Sequence, residues 1–205
     1  MLHVIDHPLI HQELSMARAP KTSSCDFRAA VRRIACLMTP RVCENLPTIP
    51  QEVETPLETM IGKILLRKIT LVPILRAGLG FLDGFLDLIP HASVVHLGIK
   101  RNEITLAAET YYAKLPHDWD QREVVVLDPM LATGGSAISA IDQLKKAGAK
   151  NIRFACLVAA PEGVRAFEAQ HPDVPIYTAA LDRCLSQSGY ILPGLGDAGD
   201  RLFDT

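Results

Sequence analysis

At 205 residues the chain suffices for one ordinary domain, and 48% hydrophobic with 21% charged residues is the balance of a soluble globular protein. A formal net charge of −2 gives no electrostatic support for binding nucleic acid or an acidic membrane surface. No apolar run reaches membrane-spanning length, and the first residues lack a basic stretch followed by an apolar one, so a cytoplasmic protein is expected.

In chain order, the first informative stretch is Val4 to Leu14, with His7-Pro8-Leu9 and His11. Nothing in its chemistry demands catalysis, so packing or a subunit contact is expected. Phe27, Val31, Ile34 and Leu37 recur at three- and four-residue steps and predict an amphipathic helix over 27–38. Asp26 reads as its N-cap and Pro40 as its end. Residues 51–57 alternate apolar and polar and predict a peripheral strand, Pro56 arguing against a central one. The five cysteines form no C-x-x-C and no pattern with the seven histidines, so reduced thiols are expected and a metal site is not.

Residues 68–75 predict the next strand, 76–80 the loop at its end, and 79–88 a helix. Arg76 therefore stands at a strand's carboxyl end, where α/β sheets bind ligands; its alternative is a pairing with a surface carboxylate. A third strand is expected over 93–99, and the polar, alternating 100–114 reads as a hairpin.

The stretch from Glu123 to Ile141 carries the most chemistry. Val124 to Leu127 is a continuous apolar run, as expected of a strand buried on both faces, and Asp128 ends it with a carboxylate. Thr133-Gly134-Gly135-Ser136 follows, then Ile138, Ile141 and Leu144 at helical spacing, Lys145 and Lys146 in the last turn, and Gly148 as the stop. Backbone N–H groups of a glycine-rich turn opening a helix converge on one small volume, and the helix dipole adds positive potential there. Such a concavity binds phosphate, with hydroxyls from Thr133 and Ser136 and a sugar-binding acid in front. It is not a Walker A loop, since the lysine is missing and the glycines are misplaced. Strands over 152–160 and 175–181 around a helix over 162–170 imply right-handed parallel crossovers in one sheet. Gly194-x-Gly196-x-x-Gly199 formally satisfies a dinucleotide fingerprint but fails on context, with no acid about twenty residues on.

Asp128-Pro129-Met130-Leu131-Ala132-Thr133-Gly134-Gly135-Ser136 resembles the 5-phosphoribosyl 1-diphosphate (PRPP) loop of type I phosphoribosyltransferases. Its Asp-Pro opening is similar to the uracil phosphoribosyltransferase branch, as are Val72 to Gly80, Leu157 to Gly163 and Gly189 to Arg201. The resemblance implies an α/β, mainly parallel sheet flanked by helices, one phosphoribosyltransferase domain over 1–205, a β-arm at about 100–115 and a base-binding hood at about 182–205. It implies transfer from PRPP to uracil, giving UMP and diphosphate.

On that resemblance Arg76, Arg101 and Asp128 serve the reaction; PRPP is held by these, by 129–136 and by Asp197; and Ile191, Gly196, Asp197 and Ala198 meet uracil. Mg²⁺ is carried by PRPP and water rather than by protein ligands. A homodimer or higher homo-oligomer and a GTP effector are within what the family admits. Departures stand at Lys100, Ala107, Ala108 and Asp204, and around Pro40. A nucleotide-binding regulator on the same scaffold, or a homologue of altered activity, remain the alternatives.

Overall fold

The computed structural model describes residues 1–101, 108–113 and 116–205. The chain opens with β1 (Leu2–Val4), α1 (Pro8–Arg18) and α2 (Ser24–Val42). Two boundaries of α2 differ from expectation. Ser23, not Asp26, is the N-cap: its Oγ accepts the Asp26 N–H at 3.1 Å while donating to Asp26 Oδ2 at 2.7 Å. Pro40 does not end the helix. A proline removes only the bond to the carbonyl four residues back, and burial of Met38, Thr39 and Val42 carries the helix past it. The Cys43 N–H still reaches the Thr39 carbonyl at 3.0 Å.

A hairpin follows, β2 (Thr48–Glu54) with β3 (Thr59–Leu65), antiparallel and separate from the main sheet. Only the first of its strands carries a sequence signal, because the ribbon is exposed on both faces and has no buried side to set a period. Ile49, Val53, Met60, Ile61, Ile64 and Leu65 are among its exposed apolar side chains.

The main sheet then forms from β4 (Lys68–Leu75), α3 (Gly78–Leu88), β5 (Ser93–Val94), β6 (Leu97–Arg101), β7 (Ala108–Ala113), β8 (Arg122–Leu127), β9 (Met130–Leu131), α4 (Gly135–Lys146), β10 (Asn151–Ala159), α5 (Pro161–Gln170) and β11 (Ile176–Leu181). Its order is β1-β11-β10-β8-β4-β6-β7, with β5 on β4 and β9 on β10. All described pairs are parallel except β6 with β7. The strand expected over 93–99 is two pieces on β4, Thr70 facing Ser93 and Ile74 facing Leu97.

Both faces of the central strands are covered, which is why they read as unbroken apolar runs. Leu71, Val125 and Leu127 pack with Phe27, Ile34 and Phe81 of α2 and α3. Val72, Val124 and Val126 pack with Ile141, Leu144 and Phe167 of α4 and α5. Glu123, nearly fully buried at the amino end of β8, is neutralised by Arg67 at 2.9 Å and Arg153 at 2.8 Å. The chain closes with β12 (Cys184–Leu185), β13 (Ile191–Leu192) and α6 (Ala198–Phe203). Among the described residues no helix is long and apolar enough to cross a membrane.

Candidate functional site

Parallel strands aim their carboxyl ends at one rim, and the candidate residues gather there. Asp128 follows β8 directly. Its N–H reaches the Ala155 carbonyl at 3.2 Å, and its Oδ1 accepts the Met130 N–H at 3.3 Å. The side chain is half-buried, and desolvation pushes its pKa up to about 7, opposed by the single Met130 N–H. Pro129 has no N–H to place, while its carbonyl takes the N–H groups of Leu157 and Val158, both at 3.0 Å. Short β9 then seats Met130 and Leu131 against β10.

The turn into α4 depends on two glycines. Gly134 is the N-cap at φ +87°, a left-handed conformation that β-carbon sterics penalise. Gly163 lies against the loop so closely that a Cβ there would stand 2.3 Å from the Ala132 carbonyl oxygen. The match over Leu157 to Gly163 thus supports the loop from behind. Gly135 differs: among the described residues a Cβ would meet only Thr133 Oγ1, at 3.9 Å, so this glycine borders open space there. Thr133, Gly135 and Ser136 are exposed, and no acidic side chain occupies the first turn of α4. The free amides of that turn thus meet no acidic side chain of their own turn, an arrangement suited to an anion.

Arg76 follows the cis Leu75–Arg76 peptide at the end of β4. It is exposed, with its guanidinium 5.9 Å from the centre of the Phe203 ring, and among the described residues no carboxylate pairs with it. The C-terminal hood closes the other side. Asp197 caps α6, its Oδ1 accepting the Asp200 N–H at 3.0 Å. Asp204 adopts φ 59°, ψ 44°, the left-handed position after a helix that favours glycine. The departure noted at this residue has a local compensation, since Ser24 Oγ donates to Asp204 Oδ1 at 2.8 Å.

A pocket of about 360 Å³ joins these parts. Arg76, Asp128, Met130, Ala132 and Ser136 line it from the sheet side, and Ile191, Gly196, Asp197 and Ala198 from the hood. Of the other loop residues expected to bind phosphate, Pro129, Leu131 and Gly134 are buried, and Thr133 and Gly135 are exposed beside the pocket rather than on its wall. Ala77, Gly189, Tyr190 and Gly199 also line it and were not among the expected site residues. Tyr190 carried the one usable signal, an aromatic directly before Ile191 in a polar stretch. The backbone of Arg101 ends β6 opposite Ala108. Its side chain, that of Lys100, residues 102–107 and the Ala108 side chain lie outside the described residues, and so does the expected contact of Arg101 with diphosphate.

A model of the uracil phosphoribosyltransferase family matches residues 4–205. The chain belongs to the uracil phosphoribosyltransferase family. A uracil phosphoribosyltransferase from Streptococcus equi subsp. zooepidemicus is 57% identical over 203 residues, 98% of this chain and 97% of that protein. One from Streptococcus salivarius is 56% identical over the same shares of the two chains. Among solved structures, the AQ2163 protein from Aquifex aeolicus superposes with a TM-score of 0.93 at 38% identity, over 99% of this chain and 98% of that one. A purine phosphoribosyltransferase from Pyrococcus horikoshii shares the fold at a TM-score of 0.54 and 17% identity, covering 76% of this chain and 85% of the other. The uracil phosphoribosyltransferase family is thus a type I phosphoribosyltransferase fold here, and the chain is a pentosyltransferase-family enzyme.

Proposed function

We propose that the chain joins uracil to the ribose of PRPP, forming the N1–C1′ bond, breaking the C1′–diphosphate bond and releasing UMP, diphosphate and the N1 proton. The observation that carries this reading is a single pocket walled by the Asp128–Ser136 loop on one side and the Ile191–Ala198 hood on the other. One wall suits a ribose 5-phosphate, and the other suits a flat base.

The amides opening α4 hold the 5-phosphate without a countercharge of their own. Asp128 accepts the ribose hydroxyls and, once ionised, favours the positive charge that grows on the ring as the bond to diphosphate lengthens. Arg76 reaches the leaving diphosphate with the planar fork that matches phosphate oxygens, and Arg101 is the second cation in the proposal. No general base is required on this account, since positioning and leaving-group stabilisation do the work. Mg²⁺ would be held by diphosphate oxygens and water, and the hard carboxylate oxygens of Asp128, which line the same pocket, fit a site that admits such an ion. Among the described residues no group of three His, Cys, Asp or Glu forms a protein-only metal site. When bound, Mg²⁺ supplies neutralising charge at the diphosphate.

Base choice falls to backbone, because the hood's only charged pocket residue, Asp197, already caps α6. The Ile191, Gly196 and Ala198 backbone reads the N3–H donor and its two flanking carbonyls. Cytosine sets acceptor against acceptor at N3, so uracil is preferred by about 10⁴-fold. Comparable kcat/KM for the two bases would refute this readout.

The proposal extends to a homodimer or larger homo-oligomer, supported by the exposed apolar side chains of the β2–β3 ribbon, and to a cytoplasmic location, in keeping with five free thiols. It extends as well to a GTP effector, whose addition should change the rate of UMP formation in the same assay.

A further inference from the structure

Two arginines outside the pocket tie its base-reading wall to the far end of α1. Asp182 leaves β11 as a buried carboxylate, its side chain 5% exposed. Its Oδ1 accepts from Arg18 Nη2 at 2.6 Å, and its Oδ2 accepts from Arg18 Nη1 at 2.8 Å. The same Oδ2 takes the Gly194 N–H at 2.8 Å, while Arg18 Nη1 donates to the Gly194 carbonyl at 2.6 Å. Both backbone groups of Gly194 are therefore held by one ion pair. Gly194 lies at φ +60°, and a Cβ there would fall 2.1 Å from the Ile191 carbonyl oxygen, so its placement and that of Ile191 are locked together.

Arg201 makes a second tie. Its guanidinium donates to the Leu195 carbonyl at 2.8 Å, to the Ala19 carbonyl at 2.7 Å and to that of Ala17, and lies 4.3 Å from the centre of the Phe27 ring. The hood between Ile191 and Ala198 is thus fixed at Gly194 and Leu195, with Arg18 and Arg201 spanning to a helix more than 160 residues earlier. Neither Arg18 nor Asp182 lines the pocket.

We infer that Arg18 and Asp182 are positioning residues for base selection: the pair sets the Ile191 backbone edge against which the pyrimidine is read, without touching it. This rests on the reaction proposed above. A rigid edge matters because a base-reading hydrogen bond loses most of its discrimination when its backbone group can shift. A charge-assisted bond lost at Gly194 should therefore appear at the base and not at PRPP, whose loop hangs from β8 and α4.

The test compares wild type with Arg18→Gln, Asp182→Asn and Arg18→Lys, and with Arg32→Gln, which removes a two-point ion pair to Asp87 elsewhere. KM for uracil should rise about tenfold in Arg18→Gln and Asp182→Asn, the loss expected for one charge-assisted bond. KM for PRPP should stay within about twofold. The uracil-to-cytosine preference should fall about tenfold as well, and Arg18→Lys, keeping the charge but not the fork, should recover part of it. Arg32→Gln should change neither. Amide hydrogen exchange at Gly194 should quicken in Arg18→Gln while the central strands stay protected.

A folded Arg18→Gln with wild-type uracil KM and base preference overturns the inference, as does an equal rise in both KM values. If Arg18→Gln does not fold, Asp182→Asn, which keeps the side chain's volume, decides on the same criteria. Wild-type protein that makes no UMP refutes the reaction instead, and exchange at Gly194 still reads whether the clamp exists.

Discussion

Replacing Asp128 by Asn separates what this carboxylate does for the fold from what it does for the reaction. Desolvation pushes its pKa from the ordinary 3.8 to about 7, so the folded protein holds the proton more tightly than the unfolded chain. Below about pH 4 both states are protonated and there is no cost. As pH rises from 4 to 7 the unfolded chain ionises first, and stability is lost; above 7 the full cost of the buried charge remains. Fully expressed, the displacement is worth roughly 4 kcal/mol. Solvent at the exposed part of this half-buried side chain screens it, so about 2–3 kcal/mol is expected.

Asparagine keeps an oxygen for the Met130 N–H, now 3.3 Å from Oδ1, and carries no charge. Asp128→Asn should therefore be more stable than wild type by about 2–3 kcal/mol at pH 8 and indistinguishable at pH 4, while UMP formation falls steeply. Urea unfolding at the two pH values measures the difference. An equal difference at both, or a more stable wild type at pH 8, would refute the reasoning.

Gly135→Val should abolish PRPP binding with little change in thermal midpoint, because a side chain there meets open space within the fold but occupies the phosphate volume; calorimetric titration showing unchanged affinity would remove the cradle. Arg76→Lys keeps charge and loses the fork, costing about 1–3 kcal/mol of transition-state stabilisation, seen mainly in kcat by steady-state kinetics. Asp204→Gly should be nearly neutral in urea unfolding, since relief of the left-handed backbone offsets loss of the Ser24 bond. Asp204→Ala should destabilise by about 1 kcal/mol or more, losing the bond and keeping the strained backbone.

The parts legible in sequence are those where one local rule decides. β4, β8 and β10 read as strands because both faces are buried, and Gly134 marks its turn because φ +87° leaves little other choice. β3 escaped because its ribbon has no buried face. The end of α2 was misplaced because tertiary burial of Val42 outweighs the one bond Pro40 removes. At the site, Arg76 and Asp128 followed from strand ends, but the capping role of Asp197 depends on where α6 starts. The Arg18–Asp182 clamp spans 164 residues of chain and leaves no pattern that a single sequence can show.

Under the proposed function one pocket brings a phosphoribosyl donor and a pyrimidine into reaction. The most direct measurement of this is the initial rate of UMP and diphosphate formation from uracil, PRPP and Mg²⁺ by the purified protein. Both products should form in equal amounts, dependent on each substrate. Tight PRPP binding with no UMP, or diphosphate released at the same rate without uracil, would contradict it.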